Sequence, residues 1–246
     1  MLKKKQQESE IILKIDNISK KYKKNQILEN ISFELKKGEV LGLVGYSGSG
    51  KTTLINILCG LIRSDSGSIK YYFNNSTDGE NVLLKLNNNL KEKISVSIQK
   101  PSFYGELNVI QNLEYFSSSL KLKKQEKKTN IEKILQVLGL LNVKKIKAND
   151  LSGGMKKRLD IACSLVSTPE ILILDEPTDS LDFKLRNEFL ELIKSVKKLG
   201  VSIIFVSHIL EEIEIISDRI AFLENKTITI HNSSKNIKKL FLKRGD

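Results

Sequence analysis

The sequence has no long apolar run. None of its stretches approaches the roughly 18 uninterrupted apolar residues that a membrane-spanning helix needs. The first residues also lack the pattern of a secretory leader, because a lysine-rich start is followed by glutamate and only a short apolar segment. We therefore expect neither a membrane span nor a signal peptide.

Cysteine and histidine are scarce, with two of each in the chain. Cys59 and Cys163 lie in helix-like apolar runs and belong to no metal-binding spacing, so we expect them to be reduced, buried and inert. His208 follows a strand-like apolar run, whereas His231 has no such context. The 246 residues, 40% of them hydrophobic, are enough to bury one sizeable core.

Acidic residues are fewer than basic ones, 29 against 41, which gives a formal net charge of +12. The lysines are scattered in short runs that are typical of solvated faces, so this charge does not favour a nucleic-acid-binding protein. Contact with anionic lipid headgroups at a membrane surface is the better hypothesis for the excess charge.

A complete phosphate-binding loop stands between the apolar run 40–44 and a helix-like stretch that starts near Leu54. Glycines let successive backbone N–H groups point at a polyphosphate, and the following helix directs its positive end at the same charge. We expect Lys51 to reach the β- and γ-phosphates and the Thr52 hydroxyl to ligate Mg²⁺. The predicted nucleotide-binding residues of this phosphate loop are Gly45, Ser47, Gly48, Ser49, Gly50, Lys51, Thr52 and Thr53.

Two acids follow a second apolar run, 171–174. An uninterrupted aliphatic run suits a parallel strand that is buried on both faces, and ligands gather at the carboxyl ends of such strands. Asp175 is therefore a candidate Mg²⁺ ligand through water, and Glu176 is a candidate base for the attacking water.

The segment Leu151–Met155 lies between these motifs and resembles the signature of ATP-binding cassette (ABC) transporter ATPases, which usually reads Leu-Ser-Gly-Gly-Gln. The other elements of that family fall in order along residues 10–230. Tyr22 matches the aromatic residue that stacks on adenine, and Gln99 matches the glutamine of the coupling loop beside Mg²⁺. Residues 180–182 match the loop after the acid pair, and His208 matches the switch histidine.

The resemblance implies that the signature acts on a second subunit. Ser152, Gly153 and Gly154 start a helix and so offer N–H groups, a hydroxyl and a dipole to an anion. One chain already has a phosphate loop, and in the family each signature closes over the ATP of its partner, in a homodimer or heterodimer. Met155 replaces the usual glutamine and removes one amide that could bind ribose. The runs 155–159 and 101–109 resemble the branch of multidrug, antibiotic and polysaccharide exporters.

These motifs predict an α/β fold with a P-loop NTPase core, a mostly parallel sheet, an antiparallel β region and an inserted helical lobe. We expect one ABC ATPase domain over 1–246. Its nucleotide-binding core is predicted at 10–100 and 166–230, the helical lobe with the signature at 101–165, and a basic tail at 231–246. Strands are expected at 11–15, 27–33, 68–73, 82–86, 94–98, 201–206, 219–223 and 227–230.

The resemblance implies an ATPase subunit, located in the cytoplasm at the inner face of the membrane, that powers a membrane-spanning subunit on a separate chain. The direction expected from the subfamily is export. Other classes stay open. A soluble ABC-type ATPase for DNA repair or translation is disfavoured, because only 100 residues separate Lys51 from Leu151 and the chain has one cassette. A P-loop kinase or GTPase is disfavoured by the signature. A role in cluster assembly or cell division remains the alternative.

Overall fold

The computed structural model describes residues 10–73, 80–81, 93–97, 102–179 and 181–233. The strands, in chain order, are β1 (Ile11–Tyr22), β2 (Asn25–Lys36), β3 (Val40–Val44), β4 (Ser66–Tyr71), β5 (Glu80–Asn81), β6 (Ile94–Ser97), β7 (Ile171–Asp175), β8 (Ser202–Val206), β9 (Arg219–Glu224) and β10 (Thr227–His231). The helices are α1 (Lys51–Leu58), α2 (Val109–Ser118), α3 (Lys124–Val137), α4 (Gly153–Leu165), α5 (Phe183–Lys197) and α6 (Leu210–Ile216).

The strands form two sheets. The larger has the order β10-β9-β3-β8-β7-β6, in which only the pairing of β10 with β9 is antiparallel. The smaller has the order β2-β1-β4-β5 and is antiparallel throughout. The predicted α/β class, with a mostly parallel sheet and an antiparallel region beside it, is confirmed.

The parallel sheet lies between two hydrophobic cores, because successive apolar side chains of its strands point to opposite faces. In β3, Leu41 and Leu43 pack towards the antiparallel sheet and α1, whereas Val40 and Val44 pack towards the helices on the other side. The strand β7 divides in the same way, with Leu172 and Leu174 on the helical side. The central strands are therefore buried on both faces, as their continuous aliphatic sequences predict.

The first hairpin is longer than the sequence indicates. We expected strands over 11–15 and 27–33 with Tyr22 in a lysine-rich turn, but β1 and β2 each have 12 residues and Tyr22 is the last residue of β1. The pairing continues to Tyr22 and Asn25 through several register shifts. These irregularities interrupt the simple alternation of apolar residues, which is why the pattern underestimates both strands.

The other strand predictions agree with the structure to within two residues at each described end. The expected strand 82–86 lies outside the described residues, as do the end of the expected strand 94–98 at Ile98 and most of the tail 231–246. Within the described ranges, no helix combines the length and the apolar character needed to cross a bilayer. Cys163 is buried and Cys59 is partly buried. Burial raises the pKa of the Cys59 thiol to about 12, and it also raises that of Cys163.

Asp160, in α4, links the helical lobe to the parallel sheet. Its side chain is 3% exposed and accepts hydrogen bonds from the Ser97 hydroxyl at the end of β6 and from both the backbone N–H and the hydroxyl of Ser102 (2.7 and 2.8 Å). A buried carboxylate with three donors is satisfied, and its removal would leave the donors without an acceptor.

We expect Asp160→Ala to lower the free energy of unfolding by about 2–4 kcal/mol, because three buried donors lose a charged acceptor. Asp160→Asn keeps one acceptor oxygen and is expected to cost less. Urea unfolding followed by circular dichroism measures both, with the exposed Asp150→Ala as a control within about 0.5 kcal/mol of wild type. A loss below about 1 kcal/mol for Asp160→Ala would contradict this role.

Candidate functional site

The phosphate loop connects the end of β3 to the start of α1. Gly48 (φ 78°) and Gly50 (φ 107°) have left-handed backbones, and Gly50 lies immediately before the first residue of the helix. A Cβ on Gly45 would come within 2.5 Å of the Leu223 carbonyl oxygen, so the loop also packs too closely on β9 for a side chain. The glycines thus serve the backbone course that a polyphosphate cradle needs.

Lys51, the first residue of α1, is folded over this loop. Its side chain is 8% exposed, and its Nζ donates to the carbonyl oxygens of Gly45 (2.8 Å) and Tyr46 (3.1 Å). Burial lowers the pKa of Lys51, whereas the nearby carboxylates of Glu176 and Asp175 oppose that shift. The ammonium is thus held beside the loop and the two acids, where phosphate oxygens could take over from the carbonyl groups.

Asp175 and Glu176 lie where β7 ends. Burial raises the pKa of the Asp175 carboxyl, the neighbouring Glu176 adds to this, and Lys51 opposes it. Glu176 has a left-handed backbone (φ 47°), and its N–H donates to the Val206 carbonyl at 3.0 Å. A non-glycine residue in this region is strained by about 1–3 kcal/mol, which is a feature that clusters at functional sites.

His208 faces Glu176 from the end of the neighbouring strand β8. Its Nδ1 lies 3.3 Å from Glu176 Oε1, and its side chain is 56% exposed. The structure brings these groups together in one cleft of about 540 Å³, which we call the phosphate cleft. Its lining residues are Ile27, Ser47, Gly48, Gly50, Lys51, Thr52, Thr53, Asp175, Glu176 and His208.

Six of the predicted residues that the structure describes do not line this cleft. Tyr22, at the end of β1, is 49% exposed, and the Lys20 ammonium lies 5.6 Å from the centre of its ring. Ser152, Gly153 and Gly154 lie at the start of α4, where the Ser152 hydroxyl accepts from the Met155 N–H at 3.3 Å. Gly45 and Ser49 belong to the loop but are not among the residues that line the cleft. Gln99 and Ser180 lie outside the described residues.

Ile27 was missed by the sequence analysis. It lies in β2, lines the cleft, and would meet a Cβ on Gly50 at 3.1 Å. Its apolar type and alternating position predicted only that it belongs to a strand. The residues around Ile27 do not indicate that it contacts the phosphate loop, because Ile27 and Gly50 are 23 positions apart in the sequence.

The donor set suits a cation that phosphate oxygens help to hold. The exposed Thr52 hydroxyl and the Asp175 carboxylate both line the cleft. In the part of the chain that the structure describes, no group of three or more His, Cys, Asp or Glu side chains forms an all-protein metal cage. One hydroxyl and one carboxylate are the protein contribution expected where Mg²⁺ keeps water and nucleotide oxygens as its other ligands.

Residues 28–179 match the protein-family profile described as "ABC transporter". The chain belongs to the ABC transporter family. Over 213 residues it is 38% identical to the linearmycin resistance ATP-binding protein LnrL of Bacillus subtilis (strain 168), which covers 87% of this chain and 66% of the relative. It is 34% identical over 237 residues to a spermidine/putrescine import ATP-binding protein PotA of Clostridium acetobutylicum, covering 93% and 65%. The chain thus spans about two thirds of the length of both relatives.

The ABC fold extends over nearly the whole chain. The solved structure of cbiO1 from Clostridium perfringens, described as part of the ABC transporter complex cbiONQ, matches with a TM-score of 0.83 and 27% identity. The match covers 96% of this chain and 92% of that one. The family implies an ATP-binding subunit of a transporter, and the phosphate cleft is the part of this ABC domain that suits the phosphates.

Proposed function

We propose that this chain hydrolyses ATP in the phosphate cleft and that a pair of such ATPase domains powers a transporter subunit on a separate polypeptide. One observation carries the hydrolytic part: the cleft brings together Lys51, Asp175 and the facing pair of Glu176 and His208 at one edge of the sheet. A loop that only bound nucleotide would not need a carboxylate held opposite a histidine beside the phosphate position.

Each side chain has a distinct role in this proposal. Lys51 binds the β- and γ-phosphates, and Glu176 orients the attacking water and accepts its proton. His208 contacts the γ-phosphate, and Tyr22 stacks on adenine. Thr52, Gln99 and Asp175 would hold Mg²⁺, which would supply neutralisation of the phosphate charge.

The signature supplies the second half of each site in a dimer. Ser152 and Gly153 are exposed, and a Cβ on Gly153 would meet nothing within 4 Å. None of the described residues that line the phosphate cleft belongs to 151–155. An exposed helix start with free space before it is suited to the ATP of a partner chain, and this supports a head-to-tail pair.

Transport is proposed on the family and on the names of its members, with the chain acting in the cytoplasm at the inner face of the membrane. We propose export rather than import as the direction of transport. LnrL, which is named for linearmycin resistance, is 38% identical to this chain, whereas PotA, which is named for import, is 34% identical. Purification of the native protein from detergent-solubilised membranes is expected to bring a multi-span membrane protein with it. Recovery without any such partner would favour the alternative of a non-transport ABC ATPase.

Mixing two inactive variants tests the paired site. Ser152→Arg is expected to block the γ-phosphate of the partner by bulk, and Lys51→Ala is expected to disable its own cleft. In a mixed dimer both lesions fall in one site and the other site is intact. A 1:1 mixture is therefore expected to regain up to about a quarter of wild-type turnover, since half of the dimers are mixed and each has one intact site.

Phosphate release after subunit exchange measures the recovery. A tandem-linked dimer with one intact site is the control, because it shows whether a single site can turn over. An active linked dimer together with an inactive mixture would contradict the assignment of the signature to the partner's ATP.

A further inference from the structure

Glu212, in α6, is a buried carboxylate that the roles proposed above do not use. Its side chain is 1% exposed. The hydroxyls of Thr178 and Ser207 both donate to its Oε2, at 2.7 and 2.8 Å. On the other oxygen, Arg186 Nε lies 3.0 Å from Oε1 as an ion pair without the alignment of a hydrogen bond. Glu212 therefore has three polar partners from three different segments.

Two of these segments carry the proposed reacting groups Glu176 and His208. Thr178 lies two residues after Glu176, and Ser207 immediately precedes His208. Arg186 lies in the first turns of α5, and its Nη2 reaches the Leu181 carbonyl oxygen at 3.4 Å. Glu212 thus joins the loop that follows β7, the turn that follows β8 and the start of α5 at a single carboxylate.

The carboxylate of Glu212 is buried, and this burial needs an explanation. A buried carboxylate is costly unless it is fully paired, and well-packed apolar residues would stabilise the same space at least as well. A carboxylate also fixes orientation, because the two hydroxyl donors must point at it. The backbone positions of Thr178 and Ser207 are thereby fixed relative to each other.

We propose that Glu212 is a positioning residue that holds Glu176 and His208 in their facing arrangement, 3.3 Å apart, by fixing the loop behind each of them. The effect of Glu212 on ATP turnover rests on the proposed ATPase function. The effect of Glu212 on the position of His208 does not, so the positioning role and the ATPase function can be refuted separately.

The histidine content of the chain makes a direct test available. His208 and His231 are the only two histidines, so the ring region of a proton–carbon correlation spectrum holds one signal from the site and one internal reference. Glu212→Gln keeps the size of the side chain but turns an amide NH₂ or a neutral oxygen towards Arg186. We expect the His208 signal to move by more than its line width while the His231 signal stays in place.

Two further variants control this result. Glu211→Gln makes the same chemical change at the exposed neighbouring position of α6 and is expected to move neither signal. Thr178→Val removes one hydroxyl donor with little change of shape, 30 residues from His208 in sequence, and is expected to move the His208 signal. An unmoved His208 signal in folded Glu212→Gln, or in folded Thr178→Val should Glu212→Gln not fold, would overturn the positioning role.

Kinetics complete the test. Folded Glu212→Gln is expected to lose about tenfold in kcat, with the ATP Kd within about threefold of wild type, because only the reacting geometry changes. A wild-type kcat in this variant would overturn the role in catalysis. A wild-type chain that does not hydrolyse ATP would refute the proposed function instead, and the His208 spectra would still decide the positioning.

Discussion

Replacing Glu176 by glutamine is expected to reduce ATP turnover at least about 100-fold, because the substitution removes the general base. Glutamine keeps the size and the hydrogen-bonding reach of the side chain but cannot accept the proton of the attacking water. The backbone of Glu176 is held by its N–H bond to Val206, so the loop is expected to keep its course. ATP should bind and remain uncleaved, and a dimer should accumulate.

Phosphate release and size-exclusion chromatography with light scattering measure the two halves of this result in excess ATP and Mg²⁺. Glu191→Gln, an exposed carboxylate on α5, is the matched control and should retain wild-type turnover. Turnover within a few-fold of wild type in Glu176→Gln would show that another group accepts the proton.

Removal of the Lys51 ammonium is expected to weaken ATP binding and to abolish turnover. The side chain is almost fully buried beside the phosphate loop, so its loss would leave phosphate charge without a partner. Truncation of one member of a buried charge pair costs about 3 kcal/mol or more, which is about 100-fold in affinity. The fold should persist, because alanine suits the first turn of a helix and the bonds that are lost lie within the loop itself.

Equilibrium ATP binding and circular dichroism are measured together for Lys51→Ala. Lys198→Ala removes the same charge from an exposed side chain at the C-terminal end of α5 and should leave affinity unchanged. Native spectra combined with wild-type affinity would contradict the assignment of residues 45–53 as the phosphate loop.

The components of the cleft could be predicted because each is a local motif at the end of a strand. The phosphate loop follows β3, the acid pair lies at the end of β7 and His208 follows β8, and parallel strands bring their carboxyl ends to one edge. Continuous aliphatic runs are enough to identify these strands, so the positions follow from chain order and from the rule for α/β sheets.

Long-range contacts could not be predicted in the same way. The hydrogen-bond partners of Glu212 are Thr178 and Ser207, which lie 34 and 5 residues away in the sequence. A glutamate in a short charged stretch is typical of a solvent-exposed helix face, so its burial could not be predicted. The extent of β1 and β2 depends on register shifts that have no clear sequence pattern. Asp160 is similar, because its partner Ser97 is 63 residues away and belongs to another element.

The structure of Glu176→Gln with ATP and Mg²⁺ is the most direct test of the paired-site mechanism. We predict two chains arranged head to tail. The triphosphate of each should lie on the N–H groups of residues 45–53 beside Lys51, with the Ser152–Gly154 segment of the partner against the γ-phosphate. Nucleotide bound outside the phosphate cleft, or bound there with the signature of the partner turned away, would contradict the account.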